Sequence, residues 1–169
     1  GLKMGEAGGV WVDEQQRTSD PHIWAVGDVA EKARPDGHSL VPLAGLANRH
    51  GRLAADSIMG RHAAAATAYG TSIVGFFGVA AASTGYTERV LRAQGRNIRV
   101  IHTHPVSHAG YYPDASQLAM KLIVDPGSDL ILGAQVVGEE GVDKRIDVIA
   151  TAMSAGLRAT DLMDLELSY

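Results

Sequence analysis

Ile23-Trp24-Ala25-Val26 is an unbroken apolar run, bounded by Pro21 on one side and Gly27 on the other, and Asp28 follows it at once. Strict alternation would give a half-buried strand. A continuous apolar run between turn residues instead predicts a strand covered on both faces, the kind found in layered α/β sheets. Asp28 is then expected at a strand's C-terminal edge, where open α/β sheets bind ligands, and Gly27, lacking a Cβ, lets a ligand approach the backbone. An ionised carboxylate there accepts hydrogen bonds from hydroxyl groups. A Gly-Asp pair taken alone is more often a helix or turn cap than a ligand site.

Residues 1–70 read as one part and 71–169 as another. Gly9-Val10-Trp11-Val12-Asp13 is a short predicted strand. Pro42 is expected to open a helix and Gly60 to close it, since Pro suits the first helical position and Gly the left-handed position after the last. Between them Leu43, Leu46, Ala47, Leu53, Ala54 and Ile58 recur at intervals of three and four, an apolar stripe with Arg49, Arg52 and Asp56 off it. Arg61 to Tyr69, with four consecutive alanines and no periodic partner, reads as a connector.

The second part reads as α+β. Ser72 to Ala82 is expected as one strand interrupted by Gly75 and Gly78, with Ser83 or Thr84 capping a helix that Gly95 ends. Ile98 to Thr103 is a further strand. Leu118, Met120, Leu122 and Val124 alternate on one face, and Asp125-Pro126-Gly127-Ser128-Asp129 predicts a reversal in which Gly127 takes the positive φ, so that Leu130 to Val137 returns antiparallel. Val142, Ile146, Ile149, Ala150, Met153 and Leu157 form the stripe of a helix weakened at Gly156, and Thr160 is expected to cap a last short one.

Composition excludes more than it assigns. The 169 residues carry a net charge of −4, which leaves no electrostatic footprint for nucleic acid or an anionic membrane, and no apolar run is long enough to span a bilayer. Nothing resembles a signal peptide, and the expected compartment is the cytoplasm. There is no cysteine, so neither a disulfide nor a thiol redox centre lies within these residues.

The run from Thr18 to Asp28 resembles the second flavin-binding motif of the class I pyridine nucleotide-disulfide oxidoreductases. The likeness continues through Pro42-Leu43-Ala44, Ala47-Asn48-Arg49 and Gly141-Val142-Asp143-Lys144-Arg145 to Asp164-Leu165-Glu166-Leu167-Ser168-Tyr169. It is most similar to the branch of coenzyme A-disulfide reductases, NADH oxidases and NADH peroxidases, and matches only the C-terminal third of such enzymes. With Gly1 at its start and no Gly-x-Gly-x-x-Gly fingerprint, the chain is expected to be a fragment. The resemblance implies that residues 1–70 are the C-terminal piece of an FAD-binding domain plus connector. Residues 71–169 are then a dimerisation domain, an antiparallel sheet with packed helices that joins two copies.

By that resemblance, Thr18, Gly27, Asp28, Leu43, Ala44 and Tyr169 are the expected contacts to FAD, Asp28 meeting the ribityl chain and the free amides of Leu43 and Ala44 facing the flavin pyrimidine edge. Asn48 and Arg49 are candidates for substrate contact; otherwise they are a solvated helix face. His50 is expected to be structural. Tyr169 and Tyr112, with Tyr111 beside it, are the candidate catalytic hydroxyls, placed across a homodimer from a single redox cysteine supplied by other residues. The alternative is that they are ordinary half-buried tyrosines.

NAD(P)H would be the co-substrate, bound elsewhere, and the acceptor a coenzyme A disulfide or persulfide, with oxygen or peroxide as the alternative. A stand-alone dimerisation module with a vestigial flavin motif is the reading from a different class. His102, His104 and His108 share a His-x-His-x3-His spacing, but no cysteine accompanies them and no metal is expected. The His104-Pro105 pair lies well upstream of where the glutathione-reductase branch carries its acid-base histidine. Lys144 and Arg145 are expected to be interface or surface groups.

Overall fold

Three helices, α1 (Ala44–Ile58), α2 (Glu88–Ala93) and α3 (Val142–Ser154), each stop by the same pair of backbone bonds. At the end of α1 the Gly60 amide donates to Ser57 O at 3.0 Å and the Arg61 amide to Asp56 O at 2.9 Å; Gly95 and Gly156 end α2 and α3 with equivalent pairs. The pattern needs a left-handed residue after the last helical one, which glycine adopts without a Cβ clash. The computed structural model describes residues 1–168, and its contacts divide them into two units, one spanning Gly1–Gly70 and one beginning at Thr71.

In the first unit, β1 (Lys32–Arg34) and β2 (Gly37–Ser39) form an antiparallel ribbon, and a 3-10 turn covers Gly27–Val29. One cluster of its core is Val10, Val12 and Ala30, with Leu2 and Ala25 against them, and Val41, Leu53, Ala54 and Ala68 are buried as well. The strand expected over Ile23–Val26 is not there. Trp24 makes one antiparallel bridge, to Arg17, Ile23 is exposed, and Trp24, Ala25 and Val26 are half-buried. A strand needs a ladder to at least one neighbour, and among the described residues this run has a single bridge. Gly9–Asp13 is likewise reduced to isolated bridges, from Val10 to Met4 and to Ala30.

Helix α1 starts later than its punctuation predicts. Leu43 is its N-cap and gives no side-chain bond, so Pro42 precedes the helix instead of opening it. The buried residues are His50, Leu53, Ala54 and Ser57, whereas Ile58 is exposed. Counting apolar residues missed two polar members of this face. Ser57 earns its place through bonds, its hydroxyl accepting from Trp24 Nε1 at 3.0 Å and lying 3.4 Å from Gln15 Oε1.

The second unit is a five-stranded antiparallel sheet. Its strands are β3 (Ser72–Phe76), β4 (Val79–Gly85), β5 (Arg99–Thr103), β6 (Ala119–Val124) and β7 (Ile131–Gly138), in the order β3-β4-β7-β6-β5. The single strand expected over 72–82 is a hairpin. Phe77 and Gly78, at φ +47 and +83, form its two-residue loop, the doubly left-handed geometry that matches strand twist. Thr87 caps α2, its hydroxyl accepting from the Val90 amide at 3.4 Å, so neither Ser83 nor Thr84 does. Thr84 is instead fully buried, 2.7 Å from the Thr71 hydroxyl.

In the β6–β7 turn the left-handed residue is Asp129, not Gly127. Asp125 organises that turn by accepting from the Gly127 and Ser128 amides and the Ser128 hydroxyl, which holds its carboxyl below the usual range. Thr160 does not cap the last short helix: its amide and hydroxyl both donate to Asp129 Oδ2, at 2.9 Å each. These bonds, with a further one from Arg99, lower the Asp129 pKa.

Alternate residues of a strand point to opposite faces. Ile123 packs with Leu91 of α2 and with Tyr86, and Lys121, on the same face of β6, pairs with Glu88 of α2. α3 packs against β4 and β7, and its Val148 and Ile149 line a cavity with Met120 and Thr103, which point the other way. The two helices therefore cover opposite faces. Beyond α2, its face carries a row of neighbours, Val74, Ala81, Val137 and Ala119, continued by Phe76 and Val79. Of these Val74, Phe76, Val79 and Val137 are exposed, and Phe77 at the loop tip is 92% exposed. Among the described residues no helix is long and apolar enough to cross a membrane.

Gly133 of β7 lies against the backbone of Tyr86. A Cβ built there would meet Tyr86 N at 2.6 Å, Thr84 O at 3.0 Å and Tyr86 O closer still, whereas one at Gly75 of β3 would meet nothing within 4 Å. Gly133→Ala is therefore expected to destabilise the chain by about 1–3 kcal/mol through overpacking, and Gly75→Ala to change stability by no more than about 0.5 kcal/mol. Urea denaturation of both variants checks this, and equal midpoints would remove the close approach as a constraint.

Candidate functional site

The Gly27-Asp28 pair sits on the 3-10 turn, not at a strand edge. Gly27 holds φ +76, and a Cβ built on it would lie 3.7 Å from the Ala47 Cβ, so the turn abuts the first turn of α1. Asp28 is exposed. The first helical bond of α1 runs from the Ala47 amide to Leu43 O at 3.0 Å, which leaves the amides of Ala44, Gly45 and Leu46 without a helical acceptor. A carboxylate acceptor and a set of amide donors at the positive end of a helix are thereby neighbours.

Other expected residues fit this arrangement less directly. The Leu43 amide is not free, because it donates to Val41 O at 2.9 Å. Thr18 is buried, and its hydroxyl is engaged locally, donating to Asp20 O at 3.2 Å and accepting from the Asp20 amide at 3.1 Å. It holds the 18–23 turn. Asn48 and Arg49 are exposed one turn along α1, with Asn48 Oδ1 accepting from Arg52 at 2.7 Å.

Lys32 is the residue that sequence reasoning missed. It is only 3% exposed, and its Nζ donates to Gly27 O and, at 2.8 Å, to Ala30 O. Burial lowers its pKa and the nearby Asp28 charge raises it again. A lysine opening a short polar ribbon reads as a surface charge, and only the tertiary turn of the chain reveals it folded back.

Gln16, Glu31, Lys32 and His50 share a cavity of about 200 Å3 with Trp11 and Val12. Glu31 is satisfied by the amides of Ala7 and Gly9, at 2.7 and 3.2 Å. Among the described residues Gln16 Oε1 and His50 Nδ1 are buried without a partner, the condition under which an internal water bridges polar atoms.

In the second unit Tyr111 and Tyr112 are both exposed, their ring centroids 5.5 Å apart, with Tyr112 also edge-on to His108 at 6.5 Å. His108 is bonded within its loop, Nδ1 lying 3.1 Å from the Ser107 hydroxyl and Nε2 3.0 Å from Pro113 O. Among the described residues no three His, Cys, Asp or Glu side chains are grouped to hold a metal. Arg145 is half-buried and donates to Val106 O at 3.1 Å. Tyr169 lies outside the described residues.

His50 makes a pH-dependent contribution to stability. Desolvation, then the charges of Lys32 and Arg49, hold its pKa below the ordinary 6.5. The unfolded chain therefore binds a proton at a higher pH than the folded chain does. Stability from this site is complete above about pH 6.5 and is lost as pH falls towards the folded value. His50→Gln should flatten that part of the profile. Thermal unfolding between pH 7.5 and 5 is the check, and an unchanged slope would mean that His50 does not titrate with folding.

The chain matches two family models, the pyridine nucleotide-disulphide oxidoreductase dimerisation domain over residues 71–167 and the pyridine nucleotide-disulphide oxidoreductase model over residues 1–68. It is 33% identical over 171 residues to an NAD(P)H sulfur oxidoreductase (CoA-dependent) of Pyrococcus furiosus, covering 100% of this chain and 38% of that protein. Among solved structures, reduced Bacillus anthracis CoADR-RHD superposes with a TM-score of 0.94 at 44% identity, over 99% of this chain and 31% of that one. The NAD-dependent persulfide reductase of A. fulgidus superposes with a TM-score of 0.96 at 38% identity, over the same shares. The chain thus spans well under half the length of the relatives it matches. With the dimerisation-domain model covering the whole antiparallel sheet and its helices, this chain belongs to the pyridine nucleotide-disulphide oxidoreductase family.

Proposed function

We propose that this chain is part of an FAD-dependent NAD(P)H oxidoreductase acting on a coenzyme A disulfide or persulfide. In this reading residues 1–70 form one wall of the flavin site and residues 71–169 form a homodimer contact. The observation that carries it is the exposed Asp28 carboxylate on a turn packed against the first turn of α1, beside three amides with no helical acceptor. That donor set suits the group. Ribityl hydroxyls can donate to Asp28, each charge-assisted bond contributing about 1.5–3 kcal/mol. The amides of Ala44, Gly45 and Leu46, at the positive end of a helix, suit the electron-rich pyrimidine edge and the negative charge of a reduced ring.

FAD, when bound, would accept hydride from the nicotinamide and pass electrons to a thiol centre. The residues here bind and orient. Gly27 gives the turn its left-handed backbone, and Thr18 acts indirectly, by holding the loop that leads to it. Asn48 and Arg49 present an amide and a guanidinium for substrate contact. The Tyr112 hydroxyl, with that of Tyr169, is assigned to hydrogen-bond the sulfur species of the partner copy's redox centre. The family's dimerisation-domain match and the exposed row of Val74, Phe76, Val79 and Val137 support association with a second copy. The proposed compartment is the cytoplasm.

Three outcomes test this reading. In the full-length protein, Asp28→Ala should weaken FAD binding by about one to two decades, through loss of one charge-assisted bond; unchanged flavin retention on titration would remove Asp28 from the site. Tyr112→Phe should retain FAD and slow turnover of the thiol centre, and stopped-flow kinetics identical to the parent across pH would reduce it to packing. Sedimentation equilibrium of residues 1–169, scanned for flavin absorbance, should give a colourless dimer. A flavin-bearing monomer would overturn both assignments.

A further inference from the structure

Lys32 is buried at the start of a two-stranded ribbon, where a lysine could reach water along the surface, and it folds back instead. Its ammonium meets two carbonyl oxygens of the preceding turn, Gly27 O and Ala30 O. Among the described residues no carboxylate forms an ion pair with it. Burying an ammonium is unfavourable unless its donors are used, so the two carbonyls are what hold it there.

From outside, the Val10 amide donates to Val29 O at 2.7 Å and holds the far end of the turn against the core. The turn's own closing bond, from the Ala30 amide to Gly27 O, is long at 3.3 Å. Two carbonyl oxygens that converge on one point repel each other unless a cation lies between them. Lys32 supplies that cation with charge-assisted bonds, which are shorter and about twice as strong as neutral ones. With both carbonyls drawn to Nζ, Asp28 is left exposed on the turn between them. Asp28 is also the charge that acts on Lys32, so the two groups are in electrostatic contact without an ion pair.

We infer that Lys32 is a positioning residue for flavin: it clamps the 27–30 turn so that the Asp28 carboxylate is held in place before FAD arrives. This rests on the reading of Asp28 given above. A turn already fixed spares the ligand the cost of ordering it, and losing the clamp returns that cost to binding. Lys32 would touch no part of the flavin itself. Its effect should pass through Asp28.

The test is a double-mutant cycle in the full-length flavoprotein, read as FAD dissociation constants for Asp28→Ala, Lys32→Met, the two combined, and Lys32→Arg. Lys32→Met is expected to weaken FAD binding about tenfold, and the combined variant to bind no more weakly than Asp28→Ala alone. Lys32→Arg, which keeps a cation on the carbonyls, should recover most of the loss. Should Lys32→Met not fold, Lys32→Gln, uncharged but still a donor, takes its place in the cycle. Losses that add in full would mark Lys32 as a general stabiliser and overturn the inference, as would normal FAD binding without the lysine while Asp28→Ala still weakens it. Normal FAD binding by Asp28→Ala would instead remove the flavin reading, and this inference with it.

Discussion

Gly27 holds a left-handed backbone against the first turn of α1, and the arrangement proposed to face the flavin follows from that contact. It places Asp28 outward, brings the open amides of Ala44, Gly45 and Leu46 beside it, and directs a carbonyl at Lys32. A side chain at this position would meet only ordinary contact with Ala47, so the constraint is conformational instead of steric. The buried cluster of Val10, Val12 and Ala30 is tied to the turn by the Val10 amide, which donates to Val29 O at 2.7 Å.

The second unit depends on close backbone approach of another kind. β7 lies at the centre of the sheet, and Gly133 lets the backbone at Tyr86 pass beside it, where Gln135 Nε2 also donates to Tyr86 O at 3.2 Å. Covered by α3 on one face and partly by α2 on the other, the sheet keeps an open apolar row from β3 to β6. A sheet face with that composition is unusual surface for an isolated copy and ordinary surface for an interface. The dimerisation-domain family to which these residues belong gives the same direction.

Much of this was legible in the chain. Gly60, Gly95 and Gly156 mark helix ends because the left-handed position is a local demand, and the alternation through β6 and the Asp-rich turn before β7 mark a hairpin for the same reason. The errors fall where a pattern had more than one solution. Ile73 to Ala82 carries no polar side chain, so the reversal at Phe77-Gly78 was marked by Gly78 alone, which reads equally as an interruption within one strand. Thr160 has the chemistry of a cap, yet Asp129, thirty-one residues earlier, takes both of its donors. Ile23 to Val26 has the composition of a doubly covered strand and, among the described residues, a single bridge.

By itself the sequence determined the presence of the three helices, the antiparallel β6–β7 pair and the motif that carries the family likeness, because these rest on periodicity, turn chemistry and residue identity along the chain. Only the tertiary structure decided that Asp28 sits on a turn instead of a strand end, that His50 and Ser57 belong to a buried face, and that Lys32 points inward. Burial of a polar group is set by partners distant in sequence, here the Gly27 and Ala30 carbonyls for Lys32 and Trp24 for Ser57. Local pattern carries no record of such partners, since a lysine or a serine is free to face water until the fold brings a bond to it.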